Sequence, residues 1–175
     1  MRCIFILVFV LPFAIFAQRS DFNLGIGSPY GSAVNVFGIT AQAEAFIGDK
    51  SALYGQYNLY APSKETFTTS ISTGSVTTNW NELNFNFEYF FLKNKTIAIA
   101  GLSGVSVNTL IIKTEEIFDN GIIDSFNDSD TRVGFNIGLV FEFWNTKSLF
   151  PFLELKDNIN KDNQVVAIFG LKINL

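Results

Sequence analysis

The sequence predicts an all-β fold, an up-and-down antiparallel barrel of eight strands, and three observations support this prediction. Apolar and polar residues alternate with a period of two, no segment after Gln18 has a helical period, and short links alternate with long ones. A period of two indicates strands because successive side chains leave a strand on opposite faces. The clearest example is "RVGFNIGLVFEFW" at 132–144, whose apolar face includes Phe135 and Leu139 and whose polar face includes Asn136 and Glu142.

The remaining strands are placed by the same alternation, although 96–112 is apolar or small on both of its faces. In chain order the predicted strands are 21–27, 35–47, 52–61, 80–91, 96–112, 131–144, 148–156 and 164–175. Aromatic residues cluster near the ends of these strands and predict two girdles at membrane interfaces. The girdle at the strand ends that adjoin the short links contains Phe46, Tyr89, Phe90, Phe91, Phe143, Trp144 and Phe150. The girdle at the opposite ends contains Tyr30, Tyr60 and Trp80.

The links divide into two kinds, which an up-and-down barrel places at opposite rims. Those at 48–50, 93–95 and 145–147 are short and polar, whereas those at 62–79 and 113–130 are long. Asn120-Gly121 in the second long link predicts a two-residue hairpin turn, and "STGS" at 72–75 predicts another. Hairpins raised above the barrel expose strand edges that can capture another chain, so both long links are candidate sites for a protein partner. The alternative is a solvated loop without a partner.

Composition decides which face of the strands points outward. The chain has 175 residues, 48% of them hydrophobic, with 20 Phe and a mean hydropathy of +0.27. A small barrel interior has little room for so many large side chains, whereas they fit against lipid without crowding. The sequence therefore predicts a transmembrane barrel with a polar interior. A soluble periplasmic or secreted barrel that binds an apolar ligand in its core remains the alternative.

The N-terminal segment has the layout of a cleaved secretory signal. Arg2 precedes an apolar run that ends at Phe16 and is followed by Ala17 and Gln18. The run is shorter than the roughly 20 residues that a membrane helix needs. We therefore divide the chain into a signal peptide, 1–17, and a barrel domain, 18–175. The balance of 12 basic and 16 acidic residues makes nucleic acid an unsuitable partner.

Eight charged residues on the polar faces predict an ion-pair network inside the barrel. Strand direction places four of them near the short links: Glu44, Glu88, Glu142 and Lys172. The other four lie near the long links: Glu82, Arg132, Glu154 and Lys156. The chain has 0 His, which excludes Ser-His and Asp-His hydrolysis and most metal sites. We therefore predict a non-catalytic protein without a cofactor. A narrow channel is the least favoured alternative, because eight strands enclose a space that side chains can fill.

The C-terminal segment "FGLKINL" has a glycine at Gly170 and apolar residues at Ile173 and Leu175. It resembles the C-terminal assembly signal of outer-membrane barrels. Proteins of that family usually end in Phe, whereas this sequence has Leu175 at that position. With the signal peptide and the two kinds of link, the chain resembles the small outer-membrane β-barrels of the OmpA/OmpX type. The resemblance implies a location in the outer membrane, contact with its lipid and insertion by the barrel-insertion machinery.

Overall fold

The computed structural model describes residues 22–144, 148–161 and 163–175. These residues form nine antiparallel strands: β1 (Phe22–Gly31), β2 (Val36–Gly48), β3 (Ser51–Tyr60), β4 (Ser63–Thr68), β5 (Ser72–Lys93), β6 (Ile97–Phe118), β7 (Ile123–Phe143), β8 (Leu149–Ile159) and β9 (Gln164–Asn174). The predicted signal peptide, 1–17, and the predicted turn at 145–147 lie outside the described residues. No helix within the described ranges is long and apolar enough to cross a membrane.

Eight of the strands form a closed ring. Each pairs with its neighbours in the chain, β9 pairs with β1, and β3 pairs with β5 to complete the circle. The strand that lies outside the ring is β4, which pairs with β5 above the point where β3 ends. Closure leaves no unpaired edge in the ring, which is the condition for a sheet to stand in lipid. The predicted all-β, eight-stranded up-and-down barrel is confirmed.

The two long links form β-hairpins raised above the ring, as the sequence predicted, but their strands run further than the predicted strand ends. The ladder between β6 and β7 runs without a register shift from Ile97 opposite Phe143 to Ile117 opposite Ile123. The ladder between β5 and β6 extends equally far, to Ser72 opposite Phe118. Thr, Val and Ile in these segments favour extended backbone, and each further pair adds ladder hydrogen bonds. We call 63–68, 72–80, 109–118 and 123–132 together the raised sheet.

The turns at the tip of the raised sheet also differ from the prediction. Gly121 has a φ of 80°, its N–H donates to the carbonyl of Phe118, and the Phe118 N–H donates to the carbonyl of Ile122. This is a three-residue turn with one left-handed glycine, not the two-residue turn expected for Asn120-Gly121. The segment 72–75 begins β5, and the turn before it lies at 69–71, where Thr69 Oγ1 accepts from the Ser72 N–H.

The outer surface of the ring is apolar. Along β7 the outward residues run from Val133, 74% exposed, through Leu139, 42% exposed, to Phe143. Ten residue steps of about 3.3 Å, tilted by about 40°, give this band a height of about 25 Å, which is the height of the lipid-facing band in outer-membrane barrels. Comparable exposed residues lie on all the remaining strands of the ring; examples are Ile39, Leu53, Phe87, Val105, Leu155 and Phe169.

Several predicted girdle aromatics point into the barrel instead. Phe90 and Phe150 at one end and Tyr60 and Trp80 at the other are all at least 95% buried. The girdle positions that do face outward include Tyr89, Phe91 and Phe143. Aromatic residues occur on both faces of the strand ends. Whether each one points inward or outward depends on its odd or even position along its strand in the closed ring.

Candidate functional site

The interior contains an ion-pair centre near the end that carries the short turns. Lys172 Nζ lies 2.6 Å from Glu44 Oε2 and 2.5 Å from Glu142 Oε1. Carboxylate oxygens of Glu44, Glu88 and Glu142 lie within 4.8 Å of one another, and all three side chains are buried. Three carboxylates could hold a cation, but the ammonium group of Lys172 already stands among them. We call these four residues the lower centre.

A second group, the middle layer, contains Lys156. Its Nζ lies 3.1 Å from Glu154 Oε1 and donates to Gln56 Oε1 at 2.5 Å. The Gln56 amide in turn donates to Glu154 Oε2 at 2.9 Å and to Gln42 Oε1 at 3.0 Å. One glutamine therefore orients both members of the buried ion pair, because its oxygen accepts from the cation and its nitrogen donates to the anion.

The third group, the upper layer, lies below the barrel mouth. Glu82 accepts from Asn58 Nδ2 at 2.9 Å and from Gln164 Nε2 at 2.6 Å. These donors are neutral amides, and Glu82 is fully buried. Asn108 and Asn158 exchange amide hydrogen bonds at 3.2 Å nearby. The charged-residue pattern did not identify these two asparagines, although strand parity places both on the inward face.

Arg132 is the predicted interior residue that lies nearest the solvent. It faces inward at the barrel mouth with its side chain 21% exposed, and its Nη2 is 2.5 Å from Asp130 Oδ2. Asp130 lies two residues away on the same strand, so this ion pair links neighbouring inward positions of β7 where the barrel continues into the raised sheet. The other seven predicted residues, Glu44, Glu82, Glu88, Glu142, Glu154, Lys156 and Lys172, are all buried in the barrel.

Apolar side chains occupy part of the interior near the short-turn end. Phe90 is buried among Ala98, Ala100 and Val140, and Phe46 and Trp144 pack against the same cluster. Lys93 Nζ lies 4.4 Å from the centre of the Phe46 ring, in the geometry of a cation–π contact. The apolar cluster leaves the lumen packed at this end.

The raised sheet has two chemically different faces. The face that continues the lipid-facing side is rich in Ser, Thr and Asn, and it carries Lys64, Lys113 and Glu115 together with Ile111, Ile117 and Ile123. The inward face, which stands over the mouth, combines apolar residues such as Phe67 and Phe126 with acidic ones. Phe67 covers Gly74 on the neighbouring strand, where an added Cβ would lie 2.4 Å from the phenyl ring.

The residues of the predicted assembly signal lie on β9 and just after it. Ile173 and Leu175 are 41% and 60% exposed on the outer surface. Gly170 faces inward, where an added Cβ would lie 2.3 Å from the carbonyl oxygen of Ile26 and 2.5 Å from the Phe152 ring. Gly170 therefore has a packing role that is independent of any assembly signal.

A closed ring of eight antiparallel strands, apolar outside and polar within, has the fold of the small outer-membrane β-barrels. Solved structures with this fold are similar to the chain at low sequence identity. The N-terminal β-barrel domain of Pseudomonas aeruginosa OprF has a TM-score of 0.60 at 13% identity, with 90% of this chain and 98% of that one covered. Neisserial surface protein A has a TM-score of 0.59 at 12% identity, with the same coverage.

The attachment invasion locus protein Ail of Yersinia pestis is similar with a TM-score of 0.53 at 11% identity, and 89% of this chain and 97% of that one are covered. No protein-family model and no curated protein sequence matches the chain. The fold of the OmpA/OmpX-like outer-membrane barrels is thereby confirmed.

Proposed function

We propose that this chain is an integral outer-membrane β-barrel without catalytic activity. In this proposal its short turns face the periplasm and its raised sheet stands at the cell surface as an interaction surface. The observation that carries the proposal is the inversion of the usual protein interior, with large apolar side chains outside and buried Glu, Lys, Asn and Gln inside. In water this arrangement would expose a continuous apolar belt far larger than the patches that soluble monomers tolerate.

The polar interior also disfavours the soluble alternative. A ligand-binding barrel would need an apolar cavity, but the middle of this barrel contains the amides and ions of the lower centre and the middle and upper layers. Burying these groups is tolerable because they bind one another. Lipid around the barrel accounts for the apolar belt and the polar interior together.

The interior residues support a structural role and not a reaction or a pore. Glu44 and Glu142 of the lower centre and Glu154 of the middle layer lie beside ammonium groups. Glu82 lies between amides, so these carboxylates hold the barrel wall together. The apolar cluster around Phe90 packs the short-turn end. The sequence has 0 His, the residue most often used as a general base.

A series of arginine substitutions along one face of β7 tests the membrane proposal. Leu139 lies near the middle of the apolar band, Val133 at its upper end and Ser129 above it on the same face. Arginine costs about 2–4 kcal/mol at the bilayer midplane and about 0–1 kcal/mol near the interface. We expect Leu139→Arg to reduce recovery in the outer-membrane fraction strongly, Val133→Arg to reduce it slightly and Ser129→Arg to leave it unchanged.

Recovery is read from fractionated cells, with heated and unheated samples compared on gels to detect the folded barrel. Ser129→Arg serves as the matched control, because it adds the same side chain to the same strand and face. Equal recovery of all three variants, or recovery of the parent protein as a soluble periplasmic species, would contradict the proposal.

A further inference from the structure

The charges of the raised sheet are segregated between its faces. Strand register assigns five acidic residues and no Lys or Arg to the inward face of the sheet, at positions above Arg132: Glu65, Glu116, Asp124, Asp128 and Asp130. The outward face carries Lys64, Lys113 and Glu115 among hydroxyl and amide side chains and three isoleucines, Ile111, Ile117 and Ile123. The inward face is thus a strongly acidic surface at the mouth of the barrel.

Aromatic residues lie among these acidic groups. Phe126 is 63% exposed and stands between Asp124 and Asp128 on the inward side of β7. Phe67 and Phe118 are half-buried on the same face. No strand among the described residues packs across this face, since β4 to β7 make their extensive contacts with their own sheet neighbours. The face therefore offers an apolar surface together with four acidic residues besides the Asp130 that pairs with Arg132: Glu65, Glu116, Asp124 and Asp128.

The raised part of β7 also has a free edge. Pairing between β7 and β8 begins at Phe135, so within the described part of the chain residues 123–134 pair only with β6. The Phe118–Ile122 hydrogen bond fixes the alternation of that ladder. Because hydrogen-bonded and non-hydrogen-bonded pairs alternate from there, the backbone N–H groups of Ser125 and Asn127 point away from β6 to the open side.

We propose that this edge of β7 binds an extended, cationic polypeptide segment with basic side chains at alternate positions. Added as a further strand, such a segment forms main-chain hydrogen bonds with Ser125 and Asn127. Its alternate side chains then lie on the inward face beside Asp124, Phe126 and Asp128, where basic groups meet carboxylates. The intervening side chains of the segment lie beside Ser125 and Asn127, which are uncharged, so these positions of the segment need not be charged.

This inference rests on the proposed function, in which the raised sheet is exposed at the cell surface, and it adds the chemistry of the partner. A second reading of the same residues is that inward charges on an edge strand prevent two copies from pairing. The two readings predict opposite results when the charges are removed, so one set of variants separates them.

The probe is a synthetic ten-residue peptide with lysine at every second position and threonine or valine between, labelled for fluorescence anisotropy. A peptide of the same composition with its lysines in one block is the control for charge alone. The protein is the purified full barrel in lipid nanodiscs, and each variant is first shown to reach the outer membrane with the parent's gel shift on heating.

We expect the alternating peptide to bind and Asp124→Asn/Asp128→Asn to weaken binding about three- to tenfold, as expected for two partly exposed ion pairs. Asp130 is left unchanged because it pairs with Arg132. Glu115→Gln, which removes a charge from the outward face, should bind like the parent. Asn127→Pro removes an edge N–H without disturbing the ladder to β6 and should abolish binding, whereas Asn127→Ala should preserve it.

Equal binding by Asn127→Pro and Asn127→Ala would overturn strand addition, and equal binding of the two peptides would overturn the alternating pattern. If Asp124→Asn/Asp128→Asn associates with itself and binds the peptide as strongly as the parent, the inference is overturned. The charges would then serve to keep two copies of the barrel from pairing. All of these outcomes, read on barrels that have reached the outer membrane, leave the proposed membrane function intact. Failure of the parent to reach the membrane would instead remove that function.

Discussion

The Nζ atom of Lys172 lies 2.6 Å from Oε2 of Glu44, although 128 residues separate the two in the chain. Lys172 belongs to β9 and Glu44 to β2, and both of these strands pair with β1. The contact therefore depends on β1 and β9 closing the ring. Because Glu142 of β7 binds the same ammonium group, one cation joins three strands across the interior.

Removal of this cation should destabilise the barrel strongly. Lys172→Met leaves Glu44, Glu88 and Glu142 buried together without a positive charge, and breaking a buried pair in this way costs about 3–5 kcal/mol. We expect urea unfolding of the barrel in lipid vesicles to shift to lower concentration. Lys50→Met, the same substitution at an exposed turn, is the control and should not shift the midpoint. A similar midpoint for both variants would show that the lower centre contributes little to stability.

Gly170 should tolerate no larger side chain. Alanine would place its Cβ 2.3 Å from the carbonyl oxygen of Ile26, which cannot move without disturbing the β1–β9 ladder. Overpacking of this kind costs about 1–3 kcal/mol. Thermal unfolding followed by the heat-dependent gel shift should occur at a lower temperature for Gly170→Ala. Gly101→Ala is the matched control, because no atom lies within 4 Å of the added group.

The predicted assembly signal can be separated from stability at the C-terminal residue. Leu175 is 60% exposed on the outer surface, so Leu175→Ser removes little packing. We expect slower insertion into membranes that contain the insertion machinery and an unchanged rate of spontaneous refolding in detergent. Leu149→Ser serves as the control, since Leu149 pairs with Ile173 at the same rim but lies outside the signal. Equal slowing of both variants in both assays would mean that exposed apolar area, and not a signal, determines the rate.

Gly121 should control the tip of the raised sheet and not the barrel. Its φ of 80° is strained for any residue with a side chain, so Gly121→Ala should loosen the hairpin between β6 and β7. Hydrogen exchange should accelerate in residues 112–128, while the thermal transition of the ring stays unchanged. Ser125→Ala on the same hairpin is the control and should exchange like the parent. Uniform acceleration throughout the ring would contradict an independent raised sheet.

The alternation of residues by itself determined the strands of the barrel and the faces they present. A side chain's parity along a strand is fixed by backbone geometry, so the outward Leu139 and the inward Asn136 followed from their positions alone. Composition then decided that the apolar face points outward, because a small barrel cannot enclose so many large side chains. The alternating lengths of the links predicted the up-and-down order correctly.

Only the tertiary structure decided how far the strands continue and which interior residues meet. Segments such as 113–130 are polar and resemble loops, yet they extend β6 and β7 because each strand supplies the other with a hydrogen-bonding partner. The contacts of Lys172 with Glu44 and Glu142, and of Glu82 with Gln164, depend on the register around the closed ring, which local patterns do not contain. Pairing between distant strands is a property of the whole sheet, whereas alternation is a property of each strand.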